Sequence, residues 1–121
     1  MPNLIIGVID LSKSNFVIVT SPTVAGYKIK KVLGVVTGLA PRTRGVGGKF
    51  RAGLQSLKGG EITAFTSEIE KARVQAMERA MEKAKEIGAN AIISMDLETS
   101  DIGGTITLIS ATGTAVIIEP E

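Results

Sequence analysis

The sequence contains no cysteine, no histidine and no tryptophan among its 121 residues. Without cysteine, the chain can form no disulfide, thiolate zinc site, iron–sulfur cluster or cysteine nucleophile. Without histidine, it has neither a Ser-His-Asp triad nor an imidazole metal ligand. These two absences exclude most common enzyme mechanisms. We expect no cofactor and no enzyme activity, although an enzyme whose site is built between subunits stays an open alternative.

Long apolar runs are also lacking. No stretch approaches the roughly 18 consecutive apolar residues that a membrane-spanning helix requires. The first nine residues have no basic region, and Asp10 interrupts their apolar run, so they make a poor signal peptide. A hydrophobic content of 44% at a net charge of +2 is typical of a folded chain. We therefore expect a cytoplasmic globular protein with no membrane segment.

The small net charge conceals a strong division along the chain. Residues 1–60 carry nine basic groups and one acid, which is +8, whereas residues 61–121 carry five basic groups and eleven acids, which is −6. Such a division can indicate a nucleic-acid-binding arm, or two halves that neutralise each other within a domain or across a subunit interface. The aromatic content of 3% gives little surface for base stacking, so the second interpretation is favoured and a nucleic-acid partner is not.

Short runs rich in Ile and Val, bounded by Gly, Pro, Ser and Asn, predict β-strands. The predicted strands are Leu4–Ile9, Phe16–Thr20, Tyr27–Thr37, Ala91–Leu97 and a last strand formed by Thr105–Ala111 and Thr114–Ile118. In Tyr27–Thr37, alternation predicts one face with Tyr27, Ile29, Leu33 and Val35, and an opposite face with Lys28, Lys30 and Val32. Gly34 and Gly113 lie inside strands and indicate bulges or close backbone contacts.

One long helix is the clearest predicted element. Ser67 and Glu70 match a capping box, although nothing prevents an earlier start near Ile62 or Thr63, and Gly88 is the stop signal. One stripe of the helix consists of small or apolar residues: Ile69, Ala72, Ala76, Ala80, Ala84 and Ile87. The opposite face, with Glu78, Arg79, Glu82, Lys83 and Glu86, is expected to be solvated. An alanine-lined stripe implies close approach, which a β-sheet accommodates better than a bulky helical core.

A glycine-rich basic segment, Gly38–Gly48, precedes a short predicted helix at Lys49–Lys58. Four basic residues cluster there, namely Arg42, Arg44, Lys49 and Arg51. Arginine forks beside the amides of a helix N-terminus suit an anion such as phosphate. The segment is neither a Walker A loop nor a dinucleotide fingerprint, however. A surface loop, or one that docks on the acidic half of a neighbouring subunit, is the alternative interpretation.

Several segments, in the same order along residues 17–117, resemble the YbjQ-type family of uncharacterised bacterial and archaeal proteins. They are Val19–Thr23, Gly26-Tyr27, Gly34–Gly38, Phe50–Leu57, Gly59-Gly60, Glu68–Arg73, Gly88–Ile92, Met95-Asp96 and Ser110–Val116. The resemblance implies an α+β fold with a dodecin-like β-α-β-β subunit, in which one long helix packs on an antiparallel sheet. It also implies assembly into a homopentameric ring. The family carries the label "putative heavy-metal-binding".

The residues offer few ligands for a metal. Soft metals prefer thiolate, thioether or imidazole ligands, and here only methionines remain, of which Met77 and Met81 are four apart on the predicted helix. Packing is the commoner role of methionines at that spacing. A hard cation needs oxygen ligands, and Asp96, Glu98 and Asp101 form the one acidic cluster of that kind. The same acids can instead pair with basic residues, including those of a neighbouring subunit.

Catalysis has little support, because Asp96 and Glu98 are the only close carboxylate pair and no nucleophile or oxyanion hole lies near them in sequence. We expect a single domain over residues 1–121, with residues 1–15 as an extension and residues 16–118 as the family-like core. The predicted function is a homo-oligomeric ring, a structural or small-ligand-binding scaffold whose partner is itself. The alternative is a metal- or anion-binding module with its site at subunit junctions. Whether two rings stack is left open.

Overall fold

The computed structural model describes residues 16–43, 62–104 and 106–121. Its elements are four strands and one helix. In chain order they are β1 (Val17–Ile18), β2 (Tyr27–Thr43), α1 (Ile62–Glu86), β3 (Ala91–Ile102) and β4 (Ile106–Pro120). The predicted strand Leu4–Ile9, the predicted helix Lys49–Lys58 and the extension at residues 1–15 lie outside the described residues. Within the described ranges, no helix has the length and apolar character needed to cross a membrane.

The four strands form one sheet in the order β1-β3-β4-β2. β4 is central to the three long strands, pairing antiparallel with β2 on one side and with β3 on the other. The two-residue β1 pairs parallel with the beginning of β3, which makes the sheet mixed. The predicted fold class, α+β with one long helix packed on a sheet, is confirmed. The antiparallel arrangement holds for every strand pair except β1–β3.

Two bulges in β2 change which side chains share a face. The register with β4 shifts between Ile29 and Lys31 and again between Val32 and Gly34. Each extra residue reverses the alternation of side chains beyond it. The predicted faces of this strand are therefore wrong in part, because Val32 lies on the same face as Ile29 while Leu33 packs against the core under the helix. The bulge predicted at Gly34 is confirmed, and its φ of 146° suits glycine.

A third bulge lies opposite Gly113, with the extra residue on β3. The register passes from Ile93↔Thr114 to Asp96↔Thr112, so Ser94 and Met95 together face the single glycine. A Cβ at Gly113 would collide with the side chain of Ile92 and lie tightly against the carbonyl of Ile93. The bulged residues donate their N–H groups to carbonyls in the segment after β1, Ser94 to Ser21 and Met95 to Val19, both at 3.0 Å. The irregularity thus fastens that segment to the sheet.

Strand lengths differ from the prediction near the glycine-rich segment. β2 continues to Thr43, so the first part of the predicted loop, Gly38–Thr43, is paired with β4 down to Ile106. β3 extends past Leu97 to Ile102, whereas β4 is one strand, as predicted. Pairing with β4 holds Gly38 in an extended conformation, which its local propensity disfavours.

The helix α1 begins at Ile62, which confirms the earlier of the two predicted starts. The capping box is wrong, because Ser67 lies inside the helix. The stop at Gly88 is confirmed: α1 ends at Glu86, and Gly88 has a φ of 92°. Ile87 does not join the buried stripe, since it lies beyond the last helical residue and is 49% exposed.

The alanine stripe is buried as predicted, and it rests directly on the sheet. Ala72, Ala76, Ala80 and Ala84 have no exposed surface. Gly38 on β2 lies beneath this stripe, where a side chain would collide with the backbone of Ala76 and Ala80. Small residues on both elements therefore set the short separation between helix and sheet.

The sheet has apolar packing on both faces. Under α1 lies the larger cluster, which includes Phe16, Met77, Ile92 and Ile109. On the other face, hereafter the helix-free face, a smaller cluster lies at the β1 end of the sheet, formed by Val17, Val24, Ala91, Ile93, Val116 and Ile118, with Val19 and Tyr27 against it. The segment between β1 and β2 covers only this end, so the remainder of the helix-free face is left to the site described next.

Candidate functional site

Polar side chains cross the middle of the helix-free face in rows set by the strand register. Thr37 on β2 and Asp96 on β3 both lie opposite Thr112 on β4. The hydroxyls of Thr37 and Thr112 are 3.1 Å apart, which is hydrogen-bonding distance. In the next row, Glu98 lies opposite Ser110. Two carboxylates and several hydroxyls therefore share one surface.

These residues line a shallow depression of about 330 Å³. Its lining comprises Val35, Ser94, Asp96, Glu98, Thr112, Gly113 and Thr114. The bulge on β3 contributes to it, because Ser94 occupies the left-handed region with a φ of 54° and its side chain is exposed. The depression is open to solvent. Its carboxylates and hydroxyls belong to β3 and β4, and Val35 of β2 borders it.

Next to this depression, β2 exposes a row of aliphatic side chains, hereafter the β2 stripe: Ile29, Val32, Val35 and Leu39. Their exposed fractions are 37%, 61%, 74% and 45%. Ile29 and Val32 pair with Ile118 and Val116, which belong to the cluster on the helix-free face. The β2 stripe continues that apolar surface to the outermost strand, where no described residue covers it.

The outer edge of β2 is closed along its second half by α1. The Arg79 guanidinium donates a hydrogen bond to the carbonyl of Leu39, and the Lys83 ammonium donates one to the carbonyl of Thr37 at 2.8 Å. The next outward-facing position is Pro41, which has no N–H to offer. Occupied carbonyls and a missing donor discourage another strand from adding to this part of the sheet.

Of the four residues predicted to bind an anion, the structure describes Arg42. Its guanidinium donates to the Gln75 side-chain oxygen at 2.9 Å and to the carbonyl of Pro41 at 3.0 Å, and it lies 4.0 Å from the Glu68 carboxylate. These contacts join the end of β2 to α1. Arg44, Lys49 and Arg51 lie outside the described residues, so the anion site stays a prediction.

The three acids predicted as a hard-cation cluster do not share a face. Asp96 and Glu98 lie on the helix-free face, whereas Asp101 pairs with Thr107, which is buried on the opposite side. Among the residues that the structure describes, no three acidic side chains come close enough together to hold a metal ion. Asp96 and Glu98 share a face, as their period-two spacing predicted. Asp101 is an odd number of residues away from Glu98, so its side chain lies on the opposite face.

The residues do not fit the heavy-metal site that the resemblance implies. Met77 is 2% exposed and packs in the core beneath α1, and Met81 is half-buried against the same cluster. Packing, the commoner role of methionines at this spacing, is therefore what the structure shows. Since the whole chain lacks cysteine and histidine, the described part offers no accessible set of soft ligands.

Sequence reasoning missed two features of this region. It placed Val32 apart from Ile29, because the Lys30 bulge has no glycine to mark it, and so the continuous β2 stripe was not foreseen. It also assigned Arg79 and Lys83 wholly to a solvated helix face, whereas both reach back to β2. One pattern in the sequence could have indicated these contacts. Arg79 and Lys83 are four residues apart and lie beside the alanine stripe, which places both close to the sheet.

Comparison with known proteins agrees with this architecture. A family model described as "Putative heavy-metal-binding" matches residues 16–119. A solved structure of a DUF74-family protein of unknown function from Pediococcus pentosaceus superimposes with a TM-score of 0.56 at 18% identity, covering 86% of this chain and 97% of that one. At that identity, the likeness shows the fold alone.

Sequence relatives extend over most of the chain. A UPF0145 protein of Methanoregula boonei is 44% identical over 105 residues, which is 87% of this chain and 88% of the relative. A UPF0145 protein of Thermoplasma acidophilum is 45% identical over 106 residues, 88% and 89% of the two chains, and one of Bradyrhizobium is 42% identical over 106 residues, 88% and 96%. The resemblance seen in the sequence is thereby confirmed, and the chain belongs to the YbjQ family, described as "Putative heavy-metal-binding", together with the UPF0145 proteins.

Proposed function

We propose that this protein is the subunit of a homo-oligomeric ring, a homopentamer as the family resemblance implies, and that the ring acts as a structural or small-ligand-binding scaffold. The observation that supports it is the β2 stripe. Val35 is 74% and Val32 61% exposed, on a strand at the edge of the sheet, beside an apolar cluster that lies on the same face of the neighbouring strands. A contiguous apolar surface of this kind is typical of an interaction site.

The energetics favour repeated contacts over a single one. Burying each side chain of the stripe contributes about 1–2 kcal/mol, whereas association costs at least about 4 kcal/mol in lost rotational and translational freedom. In a closed ring, each subunit makes two contacts, and the last contact closes without a further loss of translational freedom. A ring therefore suits a modest apolar surface better than an isolated pair does.

The depression supports the ligand-binding part of the proposal. It shares Val35 with the β2 stripe, so a neighbouring subunit packed on the stripe would deepen it. The hydroxyls of Ser94, Thr112 and Thr114 would then line a site at a subunit junction, suited to a small hydroxylated ligand. The second half of the β2 edge is closed, so the neighbour would make contact there through side chains rather than through strand addition.

Native mass spectrometry of the purified full chain, supported by sedimentation equilibrium at micromolar concentration, tests the proposal. We expect a closed oligomer with one dominant stoichiometry, and any retained ligand would appear as an added mass on that species. A variant with Val35→Asp and Leu39→Asp should shift the protein toward monomer. A matched variant with Glu82→Ala and Glu86→Ala on exposed α1 should not. A wild-type protein that is monomeric at these concentrations would overturn the proposal. The cytoplasmic location expected from the sequence stays a prediction.

A further inference from the structure

We propose that the subunits meet head to tail, with the β2 border of one copy against the β3 border of the next. The β2 border is Lys30, Lys31, Val32 and Val35, and the β3 border is Asp96, Glu98 and Ile102. This inference rests on the proposed oligomer and specifies which two surfaces of the chain form its repeated contact.

The two borders lie at opposite edges of the sheet. β2 is outermost on one side, next to β4. On the other side, β1 pairs with β3 only at Ala91 and Ile92, and the segment that follows β1 bonds to β3 as far as Met95. From Asp96 to Ile102, β3 is therefore the outermost strand among the described residues. One molecule thus presents two different borders, which is the arrangement a head-to-tail contact requires.

The borders carry opposite charge. β2 contains four basic residues and no acid, namely Lys28, Lys30, Lys31 and Arg42, while β3 contains three acids and no base, namely Asp96, Glu98 and Asp101. Lys28 is paired with Glu119 at 3.3 Å, and Arg42 lies beside Glu68. Lys30, Lys31, Asp96 and Glu98 are exposed and have no ion-pair partner within the described part of the chain. These four charges are therefore available to a second copy.

Charge determines which pairing of borders is favoured. Two β2 borders facing each other would bring four lysines together, and two β3 borders would bring four carboxylates together, so both symmetric contacts are repulsive. A β2 border facing a β3 border pairs lysines with carboxylates. Apolar surface accompanies the charges on both sides, because Val32 and Val35 are exposed on β2 and Ile102 is 48% exposed on β3. After such a contact, one copy has a free β3 border and the other a free β2 border, so further copies can add at both ends, and the chain of subunits closes into a ring when the rotation permits.

A charge exchange tests the inference. One variant carries Lys30→Glu and Lys31→Glu, a second carries Asp96→Lys and Glu98→Lys, and a third combines all four substitutions. We expect each of the first two to raise the apparent dissociation constant of the oligomer at least tenfold. The combined variant should restore the wild-type stoichiometry in native mass spectrometry, because its borders are again opposite in sign. An equimolar mixture of the first two should associate, since each supplies the charge that the other lacks, but it should not form closed pentamers, because an odd-membered ring places two like variants side by side.

Matched controls make the same charge changes on the outer face of α1. Lys71→Glu with Arg73→Glu, and Glu82→Lys with Glu86→Lys, should leave the assembly unchanged. Circular dichroism checks folding, and if the lysine pair on β3 prevents it, Asp96→Asn with Glu98→Gln should still weaken assembly. A folded combined variant that stays dissociated, or folded reversals that assemble like wild type, would overturn the head-to-tail contact. In either case a wild-type oligomer would leave the proposed function standing, whereas a monomeric wild type would remove both.

Discussion

The side chain of Asn90 pairs with the backbone of Ile118 as another strand residue would. Its amide nitrogen donates to the Ile118 carbonyl at 2.9 Å, and its amide oxygen accepts the Ile118 N–H at 2.7 Å. The Asn90 backbone meanwhile accepts from Val17 on β1 and donates to Val116 on β4. One residue between α1 and β3 thus connects β1 and β4 at the end of the sheet.

Replacing this amide should destabilise the fold. Asn90→Ala leaves the Ile118 N–H and carbonyl without their partner, and each half-buried group that loses its hydrogen bond costs about 1 kcal/mol or more. We expect the free energy of unfolding to fall by about 1–3 kcal/mol in urea denaturation, with an unchanged m-value. Glu82→Ala, on the exposed face of α1, should change it by less than about 0.5 kcal/mol. Equal stability of the two variants would show that the Asn90 pair contributes nothing.

The contact of Gly38 with α1 should tolerate no side chain. Gly38→Ala places a methyl group against the backbone of Ala76 and Ala80, which trimming either alanine cannot relieve. We expect a loss of about 3 kcal/mol, the upper range for overpacking, measured by thermal and urea unfolding. Gly26→Ala is the matched control, because it has open space but a φ of 82°, so it should cost about 1 kcal/mol of backbone strain. A Gly38 variant no less stable than the Gly26 variant would contradict the close packing.

The cations that close the β2 edge should protect the protein from aggregation. Replacing Arg79 and Lys83 by alanine frees the carbonyls of Leu39 and Thr37, and an exposed strand edge is a template for further pairing. We expect concentration-dependent light scattering and thioflavin T binding above those of wild type after prolonged incubation. Lys71→Ala with Arg73→Ala removes the same charge from the outer face of α1 and should leave scattering at the wild-type level. If both pairs aggregate alike, net charge and not edge protection is responsible.

Soft metals should not bind. The chain has no thiol or imidazole, and Met77 is buried beneath α1. Isothermal titration of metal-free protein with Zn²⁺, and with Cu⁺ under anaerobic conditions, should give no saturable heat at micromolar concentrations. Met77→Leu should behave like wild type in both titrations, since Met77 packs in the core. A stoichiometric isotherm that Met77→Leu or Met81→Leu abolishes would contradict this assignment.

The helix and its closely packed face could largely be predicted, because the sequence patterns that mark them are local. The four-residue spacing of Ala72, Ala76, Ala80 and Ala84 marks a face that must approach something closely, and Gly88 marks the end of the helix. The start was harder. Ser67 and Glu70 match a capping pattern, but the same residue types are tolerated inside a helix, and the five preceding residues contain no proline or glycine to end it.

The candidate site was predicted only in pieces. Asp96 and Glu98 share a face because side chains alternate with a period of two, and that relation requires no knowledge of the partner strand. Their proximity to Thr112 and Thr37 depends on the register of three strands. Registers of this kind are decided by long-range pairing, which a single sequence does not display.

By itself the sequence determined which chemistry is absent, where a helix with a small-residue face would lie, and which half of the chain is basic. Composition and local periodicity are properties of the chain alone, so these conclusions needed no partner strand. Tertiary structure decided that bulges in β2 align Ile29, Val32, Val35 and Leu39 on one exposed surface, and that Arg79 and Lys83 close the adjacent edge. Both depend on long-range contacts. The pairing of β2 with β4 determines where the bulges lie, and the packing of β2 under α1 brings the two cations to its edge.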